Sequence, residues 1–234
     1  MIKALIFDVF GTVVDWRTGV ANEAKAVFAE HSIHADPVDF AVAWRAQYAP
    51  SMQVIRSQSR SYVDLDVLHR ENLEATLAEF ELTDTLDNVA LTRFNRAWEK
   101  LPAWPDSTEG LTRLKSRFAI ATCSNGSIAL MTWLAKYANL PWDAILGAPV
   151  ARNYKPEPEV YTASVSALGL NPEEVMMVAA HNGDLAAARK CGLKTAFFAR
   201  PTEHGPGQTT DLEPAENWDY VATDLGDLAD RLLK

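Results

Sequence analysis

Apolar positions follow one another at the start of the chain: Ile2, Ala4, Leu5, Ile6 and Phe7, with only Lys3 between them. The run ends at Asp8 and breaks at Gly11-Thr12. A continuous apolar run of this length predicts a strand covered on both faces of a parallel sheet. Ligands of open α/β sheets gather outside the carboxyl ends of such strands, so Asp8 stands where chemistry is expected. The plainer reading is an Asp that caps the next helix.

From about Asp15 to Leu101 the period changes to three and four residues. Ala24, Val27 and Phe28 mark one amphipathic face, and Phe40, Val42, Ala43 and Trp44 a second. Leu65, Leu68, Leu73 and Leu77 make a third, and Val89, Leu91, Phe94 and Trp98 a fourth. Four helices between the first strand and the next predict a helical cap, residues 15–101, inserted into an α/β core of residues 1–14 and 102–234.

Pro102, Trp104 and Pro105 then form a stiff connector, and Asp106 is placed to cap a helix through Leu114. Beyond it strands are expected at Phe118–Thr122, Val175–Ala179 and Thr195–Phe198. Helices are expected at about Ser127–Tyr137, Pro158–Leu168, Asp184–Cys191 and Leu225–Leu233. Such alternation predicts a Rossmann-like, mostly parallel sheet with right-handed crossovers. Arg200–Pro214, with three Pro and two Gly, reads as a surface excursion.

Composition narrows the function classes. A formal net charge of -9 argues against a nucleic-acid binder, which needs a basic face. No apolar run approaches the roughly 20 residues of a membrane span, and Met1 runs straight into the first strand with no signal peptide, so a cytoplasmic location is the expectation. Cys123 and Cys191 are isolated and read as reduced thiols. His31, His34, His69 and His204 lack metal-ligand spacing and read as surface or cap residues.

Polar residues collect at the predicted strand ends. Asp8 and Thr12 follow the first strand, and Ser124 and Asn125 follow the second. Lys155 stands before Pro156 at a helix start, and His181-Asn182-Gly183-Asp184 follows Val178. Each has an ordinary reading as turn, cap or solvated charge. Adjacent strands would bring them together in one crevice, and their order and spacing carry the inference.

Asp8-Val9-Phe10-Gly11-Thr12, Ser124-Asn125-Gly126, Lys155-Pro156 and Asp184 resemble, in that order, the four motifs of the haloacid dehalogenase superfamily. Within it the chain is similar to the L-2-haloacid dehalogenases of type II, cofactor-free hydrolases with a helical cap. Phosphatases of the superfamily generally carry a second Asp two places after the nucleophile, a position held here by Phe10, and a metal-binding Asp at the position of Ala180. The resemblance therefore implies a site without metal. Trp44-Arg45 resembles the pair that carries the halide-binding arginine.

The implied substrate is a small anionic (S)-2-haloacid, attacked by Asp8 at C2 with inversion; water then cleaves the aspartyl ester. Lys155 would hold Asp8 ionised, Thr12 and Ser124 would donate hydrogen bonds, Arg45 and Asn125 would stabilise halide, and Asp184 would position Lys155 and help activate water. Tyr161 matches a family Tyr near the site. Phe10, Tyr161, His181 and Asn182 would line the pocket. The chain departs from the family's Ser-Ser-Asn before the late Asp by reading Ala179-Ala180-His181-Asn182, which leaves His181 either as a base or as a residue that fixes its loop. Relatives are often homodimers. An Mg²⁺-dependent phosphatase and a non-catalytic binding relative are the competing readings.

Overall fold

The computed structural model describes all residues, 1–234. A strand β1 (Ala4–Phe7) leads into five helices, α1 (Trp16–Glu30), α2 (Pro37–Ala46), α3 (Tyr48–Arg56), α4 (Leu65–Glu79) and α5 (Asn88–Asn95). They are followed by α6 (Ser107–Lys115), β2 (Ala119–Thr122), α7 (Ile128–Tyr137), the one-turn α8 (Ala148–Ala151) and α9 (Pro158–Ala167). The chain ends with β3 (Val175–Ala179), α10 (Asn182–Lys190), β4 (Lys194–Phe197), β5 (Tyr220–Val221) and α11 (Leu225–Leu232). No helix is long and apolar enough to cross a membrane.

The five strands form one sheet in the order β2-β1-β3-β4-β5, parallel throughout. Chain order runs outward in both directions from β1, so the topological switch point lies between β1 and β3, where open α/β sheets bind their ligands. Phe7 pairs with Thr122 on one side and Val178 on the other. The three strand ends are therefore level, and the residues after them meet. Alternate residues sort to opposite faces: Leu5 and Phe7 join the larger apolar cluster, Ala4 and Ile6 the smaller. The larger cluster continues into Trp44, Leu68 and Trp98, so the helical cap shares a core with the sheet.

Local signals account for most helix starts. Asp15 accepts from the Thr18 N–H and Asp36 from those of Val38 and Asp39, with Pro37 in the first turn. Ser127 caps α7 through the Leu130 N–H. Several expectations change. The cap has a fifth helix, α3, carried by Met52 and Ile55, whose short apolar face is too sparse to stand out as a period. Val42 and Val89 point to solvent, 43% and 77% exposed, while Phe40, Trp44 and Phe94 carry their helices' buried faces. Asp106 makes no cap bond, because its carboxylate is taken by Arg200 and the Leu225 N–H.

His69 is buried rather than at the surface. The excursion after β4 is not wholly superficial either: Arg200 and Glu203 are buried, and Arg200 ties the loop to the Thr12 carbonyl and to Asp106.

Candidate active site

Asp8 leaves β1 buried at the switch point and is held from three sides. The Lys155 ammonium donates to Oδ1 at 2.8 Å. Thr12 Oγ1 donates to Oδ2 at 2.6 Å, and His181 Nδ1 lies 3.0 Å from the same oxygen. Burial alone would raise the carboxyl's pKa, but Lys155 and His181 together push it well below the carboxylate range. The Thr12 hydroxyl is fixed by accepting the Ala180 N–H at 2.9 Å. Two strand ends thus orient one carboxylate.

Lys155 reaches Asp8 from the turn before α9. Its N–H donates to the Asn125 side-chain oxygen at 2.8 Å, and its ammonium also bonds Asp184. Burial opposes the lysine's charge, yet Asp184 and Asp8 outweigh it and raise its pKa. Asp184 is pushed the other way, upward, by burial and by the neighbouring Asp8 charge. Tyr161 donates its hydroxyl to the second Asp184 oxygen. Ser124 is buried nearby, but its hydroxyl accepts the Gly126 N–H and makes no bond to Asp8. Gly147 lets the next loop close on this turn: a Cβ there, at φ +118°, would lie 2.1 Å from the Ser124 carbonyl.

Over Phe10 the cap contributes an aromatic box. Arg45 lies 3.9 Å from the Tyr48 ring centroid, 5.3 Å from Trp16 and 6.0 Å from both Phe10 and Trp98. No carboxylate pairs with it, and its Nη1 is buried without a hydrogen-bond partner. His69 stacks on Trp98 at 4.3 Å, and both of its ring nitrogens and the Trp98 Nε1 are likewise buried and unpartnered. Burial, and then the Arg45 charge, push His69 well below its usual pKa, so it is neutral. Unpaired buried donors around a cation define a place for a small anion.

The structure therefore gathers Asp8, Phe10, Thr12, Lys155, Tyr161, His181 and Asp184 at the carboxyl ends of the central strands β1 and β3, with Ser124 and Asn125 in the turn beside them and Arg45 in the cap beside Phe10. Asn182 is a correction. Its side chain turns away to bond Asp211, Glu213, Ala215 and the Trp218 indole, holding the loop after β4. Glu203 was not foreseen: it lies 2.8 Å from His181 Nε2 and accepts the Trp16 indole N–H at 3.0 Å. Nothing in its sequence surroundings, a Pro- and Gly-rich stretch, separates it from a solvated acid. His69 and Trp98 were also missed as donors, because helical spacing marks a residue as buried without saying that its polar atoms lack partners.

A parallel sheet that brings a buried aspartate, a lysine and a late aspartate together at its switch point is the arrangement of a hydrolase class. The model of the haloacid dehalogenase-like hydrolases matches residues 2–192, and the chain belongs to that family. Within it the chain groups with the L-2-haloacid dehalogenases, hydrolases of carbon–halide bonds. It is 50% identical to the structure of the defluorinating L-2-haloacid dehalogenase Rha0230, with a TM-score of 0.98 over 100% of this chain and 96% of that one. The (S)-2-haloacid dehalogenase 4A of Burkholderia cepacia is 30% identical, covering 91% of this chain and 94% of its own. The L-2-haloacid dehalogenase of Xanthobacter autotrophicus with chloropropionic acid covalently bound is 26% identical, with a TM-score of 0.81 over 100% and 99% of the two chains.

Proposed function

We propose that this enzyme hydrolyses short (S)-2-haloalkanoic acids to 2-hydroxyalkanoic acids and halide through an aspartyl ester on Asp8, with inversion at C2. Residues 15–101 act as the cap over a core of residues 1–14 and 102–234. The observation that carries the reading is an ionised, fully oriented Asp8 two residues before Phe10, whose ring centroid lies 6.0 Å from the unpartnered guanidinium of Arg45. In the first step Asp8 displaces halide from C2. Halide leaves as a stable anion, so the phenyl ring at position 10 forgoes nothing by lacking a proton to give. Arg45, with the His69 and Trp98 donors in the same box, receives the charge that develops on the halogen.

The covalent adduct in the Xanthobacter autotrophicus relative supports an ester intermediate. The donor set also speaks against an Mg²⁺-dependent phosphatase: Mg²⁺ takes several oxygens in octahedral array, Ala180 brings none from its side chain, and the Lys155 ammonium bridges Asp8 and Asp184.

The test is halide release from racemic 2-chloropropionate in EDTA, run beside p-nitrophenyl phosphate with Mg²⁺. Consumption of the (S) enantiomer alone is the expected result, with no halide from a folded Asp8→Ala protein. Turnover retained in that variant would remove the mechanism, and Mg²⁺-dependent phosphate release would replace the function.

A further inference from the structure

Both partners of the His181 ring are carboxylates, Asp8 Oδ2 at 3.0 Å from Nδ1 and Glu203 Oε2 at 2.8 Å from Nε2. An ionised carboxylate only accepts hydrogen bonds, and a neutral imidazole has only one N–H. Two such contacts are satisfied together only when both nitrogens carry protons. We propose that Glu203 holds His181 as an imidazolium, and that the Nδ1–H of His181, with the Thr12 hydroxyl, forms the oxyanion hole for hydrolysis of the ester on Asp8. The assignment rests on the dehalogenase reading and adds a catalytic residue and a positioning residue to it.

The lone pairs of Asp8 say which oxygen attacks. Oδ2 receives Thr12 and His181, which occupy both of its lone-pair directions, whereas Oδ1 receives Lys155 alone and keeps one lone pair free. The ester therefore forms on Oδ1, and Oδ2 becomes the ester carbonyl oxygen. Water then adds to the Asp8 carboxyl carbon, its proton passing to Asp184, and negative charge develops on Oδ2 between two donors already at 2.6 and 3.0 Å.

On collapse the bond from that carbon to Oδ1 breaks. Oδ1 leaves with the 2-hydroxy acid and takes a proton from Lys155, which recovers one from Asp184. Asp8, left as the acid, loses its own proton to water. His181 gives up no proton at any step.

The surroundings favour the charged ring. Burial would discharge it, but the bonds to Asp8 and Glu203 raise its pKa well above the usual value. Lys155 lies beyond Asp8 and Asp184 beyond Lys155, and His204 Nε2 is 3.6 Å from Glu203 Oε1. When Asp8 is esterified its charge is gone, and Glu203 is then the one carboxylate still bonded to the ring. Glu203 is itself fixed: it is 2% exposed, anchored by the Trp16 indole, and packed so closely on Gly11 that a Cβ there would lie 2.0 Å from Oε1.

The decisive measurement is nitrogen NMR of the histidine rings in the resting enzyme, with pH–rate profiles on 2-chloropropionate and intact-mass detection of alkylated enzyme. We expect both His181 nitrogens protonated at neutral pH in the wild type. Glu203→Gln should move the alkaline limb of kcat to lower pH by about 1–3 units. His181→Ala should lower kcat on the order of 10²–10³-fold and let the alkylated enzyme accumulate, with the near-isosteric His181→Asn recovering part of the rate. A neutral His181 in the wild type overturns the proposal, as does an unmoved alkaline limb in folded Glu203→Gln, or loss of an acid limb in the His181 variants, which would mark a general base. A wild type that releases no halide yet holds a charged His181 would instead remove the dehalogenase reading and leave the charge state standing.

Discussion

Lys155 binds two buried carboxylates at once, and its removal takes the ammonium from both, leaving Asp8 with Thr12 and His181 and Asp184 with the Tyr161 hydroxyl alone. With Lys155 and its partners nearly inaccessible, Lys155→Met should cost about 3–5 kcal/mol, the range for breaking a buried pair on one side. A fall in urea midpoint, together with loss of halide release, checks this; an unchanged midpoint would mean that Asp8 and Asp184 share a proton in the variant. Most site residues could be found in the sequence because they directly follow buried strands or precede Pro156, where local pattern and position in the sheet coincide. Arg45 could be found only by resemblance, and Glu203, His69 and Trp98 not at all, since Glu203 acts through its contact with His181 and the other two through polar atoms left without partners, both of which exist only once the chain has folded.

At the level of elements, the loop after β4 and the turn after β1 lock together through Glu203 and Gly11. Gly11, at φ +86°, admits the Glu203 carboxylate where any side chain would meet it. Gly11→Ala should therefore destabilise the fold by about 1–3 kcal/mol from backbone strain, readable in chemical denaturation. It should also shift the alkaline limb in the same direction as Glu203→Gln, whereas a limb that stays in place would show that Glu203 finds room beside the methyl group. The strands were readable because apolar runs of four or five residues are buried on both faces. Helix α3 and the two-residue β5 escaped notice because a short element carries too few periods to rise above its neighbours.

For the whole molecule, the titrating groups bound a range of best stability. Asp8, Glu203 and Asp106 all titrate below their ordinary values of 3.8, 4.5 and 3.8 despite burial, which opposes it in each case. Their stabilisation is complete above those values and is lost as pH falls through the folded pKa of each. His181 is raised from 6.5, so its contribution is complete below that value and is lost as pH rises through its folded pKa. Asp184, raised by burial, has the opposite sign to the other carboxylates and subtracts from stability once ionised. Buried neutral His69, held well below 6.5, costs stability as pH falls under that value, so melting temperature should rise towards 6.5 and fall above it as His181 discharges, with an alkaline decline that is smaller and ends at lower pH in Glu203→Gln. A profile unchanged by that substitution would mean that the two residues are not coupled.

The box around Arg45 also gives the enzyme an optical readout. Trp16 and Trp98 face the guanidinium, and Trp44 lies 5.5 Å from Trp98. Bromide or iodide released into that space is a heavy-atom quencher within contact range of indole. Turnover of brominated or iodinated substrates would then write itself into the tryptophan emission as a saturable loss of intensity, so that halide departure can be timed separately from the hydrolysis that follows.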